Sequence, residues 1–181
     1  MPRLLFETLG ALLLFATALY ALRAGRASSG QPATFSLLAG VGTFYLAVDE
    51  LFSLHERLGH ALYYDFGWRE PPGVNHFDDL LTMVIALAGL TVVAVYRDEI
   101  LRERAFARPF AAGLALFAAA IAWDARANPS AMFAWWTEES LELAGAAAMV
   151  GAFRIRLLSA RGWERELSLP EASAGAAAAP D

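Results

Sequence analysis

Residues 48–60 read VDELFSLHERLGH and close an apolar segment that begins near Phe35. Placed on one helix at 100° per residue, Asp49, Ser53, Glu56 and His60 fall within about 60° of one another, one above the next. A polar stripe on an apolar helix of membrane-spanning length needs partners, because a charged side chain in hydrocarbon costs about 2.5 to 3.5 kcal/mol by insertion scales. Acidic and His residues do recur on the other apolar segments.

The composition sets the frame for that reading. The 181 residues are 57% hydrophobic and only 18% charged, with a mean hydropathy of +0.42, which describes an integral membrane protein better than a soluble domain. All 14 basic residues are Arg, and Cys is absent. Any metal must therefore be held by His and carboxylates, and neither a disulfide nor a Cys nucleophile is available. A net charge of -5 and the lack of a basic aromatic patch exclude nucleic acid as a partner.

The hydropathy pattern predicts an all-α bundle of five transmembrane helices over about 4–22, 34–61, 78–96, 109–125 and 132–158. The first is read as a retained helix rather than a signal peptide, since Arg26 stands where a cleavage site wants small residues. Pro109 is placed in the first turn of the fourth helix. Between the second and third helices, residues 62–77 carry Pro71, Pro72 and Gly73 among Tyr and Trp and read as an interfacial loop over a cavity. Residues 1–161 form a single transmembrane domain on this reading, and 162–181 a disordered cytoplasmic tail.

Five crossings put alternate loops on opposite sides. One side collects 10 Arg and 7 acids, the other 4 Arg and 12 acids. The Arg-rich side is expected to be cytoplasmic, which gives an N-out, C-in multi-pass protein of a bacterial cytoplasmic (inner) membrane.

Depth along the helices makes the polar residues converge. Glu7 lies 16 residues from Arg23, Asp49 15 from Thr34, Asp79 18 from Arg97, Asp124 16 from Arg108 and Glu138 16 from Arg154. At 1.5 Å per residue all five sit ~22 to 27 Å from the cytoplasmic boundary of a ~30 Å core. Asp49, Glu56, His60, His76 and Glu142 are the expected ligands of a divalent metal (zinc, iron or manganese), with Glu138 or Asp79 as the acid–base group. His55 points about 120° away from the stripe and reads as a packed or interfacial residue, and Glu50 as a partner of a neighbouring helix or of Arg57. Asp78, Asp79, Glu138 and Glu139 taken alone would be helix caps, whereas capping does not explain Asp49, Glu56 or Glu142. Ser53 is expected to bond a backbone carbonyl. No zincin motif is present, because His55 is followed four residues later by Gly59.

Three functions follow from this layer. The leading one is a metal-dependent hydrolase acting on a lipid-like substrate. A proton or cation transporter is the second, opposed by the apolar inner halves of the helices, such as TVVAVY and AAAMVGAF. The third is a non-catalytic subunit whose charges specify packing with further copies or other membrane proteins.

The segments DELFSLHERL and EESLELAGA resemble those of small uncharacterised bacterial multi-helix membrane proteins, a likeness that covers most of the chain and implies no particular activity. A looser likeness to ceramidase-type membrane hydrolases rests on Ser53, Asp49, His55, His60 and His76, and implies a zinc-bound water organised by three His, an Asp and a Ser.

Overall fold

The computed structural model describes residues 2–68, 77–124 and 132–167, and every element among them is helical. The order is α1 Pro2–Arg26, α2 Gly30–Phe52, α3 Leu54–Tyr64, α4 Phe77–Val95, α5 Arg97–Arg102, α6 Arg104–Asp124 and α7 Met132–Leu167. Four runs are long and apolar enough to cross a membrane: Leu4–Arg26, Gly30–Phe52, Arg104–Trp123 and Trp135–Gly162. The remaining expected crossing exists as α4, but its apolar run Leu80–Val95 is shorter. Its length is roughly 24 Å at 1.5 Å per residue, against a core of ~30 Å.

The long helices pack in the spatial order α2, α1, α7, α6, with α4 leaning mainly on α3. Small residues set the two closest crossings. At Gly40 a Cβ would stand 2.7 Å from the Leu22 side chain and 3.1 Å from its backbone nitrogen, which fixes α2 on α1. At Gly113 it would stand 3.0 Å from the Gly145 carbonyl oxygen, which fixes α6 on α7. Hydroxyls inside the apolar helices bond back to carbonyls four residues earlier, as Thr17 to Leu13 and Thr43 to Ala39 do, so they add no unsatisfied group.

Three boundaries differ from the sequence expectation. The stretch 34–61 is not one helix. Ser53 adopts a left-handed conformation (φ 47°, ψ 50°) that ends α2 and starts α3. The cause is Asp49: its Oδ1 accepts the His55 backbone N–H at 2.9 Å, replacing the carbonyl that a continuous helix would use. Helix α6 begins at Arg104, which leaves Pro109 inside it rather than in its first turn. Helix α7 runs on to Leu167, past the expected end at 158.

The end of the bundle where α1 and α7 finish and α2 and α6 begin is closed by an aromatic cluster. Phe35 of α2 meets Phe106 and Phe110 of α6 and Phe153 of α7 at centroid distances of 6.0, 5.7 and 6.2 Å. Beside these rings Arg156 is 3% exposed. Its Nε donates to Ser36 Oγ at 3.0 Å and its Nη2 to Glu99 Oε1 at 2.7 Å, while Nη1 lies 3.6 Å from Glu103 Oε2. The guanidinium sits 5.4 Å from the Phe35 centroid and 4.9 Å from that of Phe106. Ser159 donates to the other Glu103 oxygen at 2.5 Å. A planar cation that offers donors at its edge and a π-face above and below suits this enclosure, where an ammonium would not.

Candidate metal centre

At the opposite end, α2 approaches α1 and α7 in its last two turns. Glu50 projects from there across α1 at Gly10, where a Cβ would stand 3.5 Å from Glu50 Oε1 and 3.9 Å from Leu143 Cδ2 of α7. Helix α7 presents Glu139 and Glu142, three residues apart and so on one face. One carboxylate oxygen from each of Glu50, Glu139 and Glu142 lies within 4.8 Å of the others, and all three residues are half-buried. Glu139, Glu7, Asp49 and His55 stand within electrostatic reach of Glu50.

Three such oxygens can act as ligands to one cation. An ion bound at ~2.2 Å to each draws oxygens to separations of at most ~4.4 Å. The present spread closes by small rotations of flexible Glu side chains.

Asp49 serves a different purpose from the coordination expected of it. It is 7% exposed, and both its oxygens are taken by His55: Oδ1 by the backbone N–H at 2.9 Å and Oδ2 by Nδ1 at 2.7 Å. An ionised carboxylate only accepts, so the proton of this hydrogen bond sits on Nδ1. The αL turn at Ser53 removes the 120° offset of a straight helix and brings His55 back over Asp49. This Asp–His pair fixes the last turn of α2, from which Glu50 reaches α7.

Glu56 and His60 lie elsewhere. Both are exposed on α3 and line a shallow open groove with Arg57, Ala61 and Asp65. The His60 ring rests on Tyr64 at 4.3 Å between centroids. The break at Ser53 is what separates them from the Asp49 face. Glu138 is half-buried on α7, next in sequence to Glu139. His76 falls outside the described residues, and of Asp79 only its place in the first turn of α4 is described.

The structure therefore joins Glu142 to two residues that the sequence reading assigned other tasks, Glu50 and Glu139. The pairs 138/142 and 139/142 both share a helix face, and sequence spacing cannot choose between them. Glu50 carried a usable signal, since it occupies the same depth as Glu7 one helix away. The other face of α7, with Phe133, Trp136, Thr137, Ser140 and Leu141, forms a second open groove roughly opposite Glu139 and Glu142 around the helix. At the tips of α1 and α7, Phe6 packs edge-on against Trp135 and Trp136 at 5.7 and 5.0 Å, as an interfacial aromatic belt would.

The model of a family described as Domain of unknown function (DUF8692) matches residues 4–157, a range that takes in Glu50, Glu139, Glu142 and Arg156. No curated protein and no solved structure matches the chain.

Proposed function

The chain belongs to this family of unknown function, and from the chemistry of its own side chains we propose that it is a multi-pass membrane protein holding a divalent cation between α2 and α7. The observation that carries this reading is the convergence of Glu50, Glu139 and Glu142. Carboxylate oxygens are hard ligands and there is no Cys, so among zinc, iron and manganese the set favours manganese or iron(II). Asp49 and His55 act as the brace that holds Glu50 in register. In the finer form of the proposal α4 is the third of five crossings and the Arg-rich end is cytoplasmic. The reaction would then be hydrolysis of a lipid-like substrate: Glu50, Glu139 and Glu142 would hold the cation, which when bound would supply a water of lowered pKa, and Glu138 would take the proton this water gives up as it adds to the scissile bond and pass it to the leaving group.

Thermal unfolding of the detergent-purified chain with added Mn²⁺ tests the cation. At a hundredfold excess over Kd a ligand stabilises by about 2.7 kcal/mol, which in a chain of this size raises the midpoint by roughly 5 to 10 °C. Glu50→Gln and Glu142→Gln should abolish the rise, and Glu56→Gln on the exposed face of α3 should keep it. A wild-type midpoint that ignores Mn²⁺, Fe²⁺ and Zn²⁺ alike would refute the site.

A further inference from the structure

Residues 97–108, RDEILRERAFAR, hold four Arg and three acids. As sequence this is a nearly balanced polar connection. Folding sorts it. Glu99 and Glu103 turn inward to Arg156, with side chains only 10% and 26% exposed, and Ile100 and Phe106 are buried at 6% and 0%. Arg97, Arg102, Arg104 and Arg108 remain exposed, and Leu101 among them is 65% exposed. The one acid left outside, Asp98, pairs with Arg97 at 3.3 Å, both side chains being at least 75% exposed. The buried Arg156 thus consumes the two acids that would have neutralised the surface, and leaves Arg102, Arg104 and Arg108 as its charge.

A second feature points to an anion. The first turn of α6 contains no acidic residue and opens on Arg104, a cation at the positive end of a 21-residue helix. That arrangement is favourable when a negative group from outside joins it. The segment lies where α4 ends and α6 begins, the level at which lipid headgroups stand if these helices cross a bilayer, and Leu101 offers an apolar anchor beside the charges.

We propose that the α5–α6 junction is a docking surface for anionic phospholipid headgroups, made cationic by the internal pairing of Glu99 and Glu103 with Arg156. It stands apart from the metal reading and rests only on the helices crossing a bilayer. Exposed arginines near an anionic membrane surface each contribute on the order of a fivefold change in affinity, and the attraction is screened by salt.

The test is lipid retention by the full chain in detergent, titrated with phosphatidylglycerol or phosphatidylcholine and read by native mass spectrometry. The wild type should prefer phosphatidylglycerol, and replacing Arg102, Arg104 and Arg108 together with Gln should lower that preference at least about tenfold. Leu101→Glu, which adds an opposing charge without touching the core, should weaken it as well. Arg23→Gln with Arg26→Gln, at the same end on α1, should leave it in place. Equal retention of the two lipids by the wild type would overturn the proposal. So would an equal loss in the α1 variant, or displacement of the lipid by inorganic phosphate at matched concentration.

Discussion

At one end of the bundle a single cation, Arg156, is enclosed by two glutamates, a serine and two phenyl rings; at the other, three glutamates from two helices gather within 4.8 Å of one another. The first assembly joins unlike charges, with Nη1 of Arg156 held by charge attraction alone at 3.6 Å from Glu103. Its members come from α2, α5, α6, α7 and the α5–α6 connection, so its role is to tie these segments in one arrangement. The second joins like charges. On the metal reading a divalent cation would bind among these oxygens. Burial alone does not distinguish function from packing here, because Arg156 is the more buried and the less available.

If the Arg156 enclosure is structural, breaking it should have the largest effect on stability. Arg156→Met leaves Glu99 and Glu103 without their cation and should cost about 3 to 5 kcal/mol in equilibrium unfolding. Arg156→Lys should recover part of that, since it keeps the charge while losing the planar fork and the stacking. A loss under about 1 kcal/mol for the Met variant would show the enclosure to be incidental. Next comes the brace at the other end. Asp49→Ala removes a charged acceptor from two donors of His55 and should cost about 1.5 to 3 kcal/mol, and it should weaken metal binding as well by loosening the turn that carries Glu50. Unchanged metal affinity in a folded Asp49→Ala chain would separate the brace from the site.

The helix crossings give a smaller and sharper contrast. Gly113→Ala pushes a methyl group to 3.0 Å from the Gly145 carbonyl oxygen, which the backbone cannot relieve cheaply, and should cost about 1 to 3 kcal/mol. Gly42→Ala, whose Cβ would meet nothing within 4 Å, should be close to neutral by the same measurement. Smallest of all is Ser53→Gly. It relieves an L-residue held at φ 47° and returns chain entropy, so unfolding should shift by less than about 1 kcal/mol in either direction.

These residues also show how far sequence carries. Long apolar runs in four of the segments predicted their helices, because hydropathy and length are local properties that a membrane core selects for. Depth placed Glu138 at the acidic end, since rise per residue is fixed, and Glu142 follows it one turn deeper on the same face. What sequence could not supply was azimuth across helices. The turn at Ser53 depends on a side chain–backbone bond from Asp49, a local event that hydropathy does not record, and it moved Glu56 and His60 off the expected face while returning His55 to Asp49. Arg156 was legible only as one charge among many on its side. Its capture of Glu99 and Glu103 is a contact across 57 and 53 positions of chain, set by how α7 packs against the α5–α6 junction.

The most direct test of the central claim is elemental analysis of the detergent-purified chain beside Glu50→Gln, Glu142→Gln and Arg156→Lys. The account predicts near-stoichiometric manganese or iron in the wild type and in Arg156→Lys, and its loss in both Glu variants. Metal that persists in Glu50→Gln and Glu142→Gln, or a wild type that carries none and takes up none on dialysis against Mn²⁺, would contradict it.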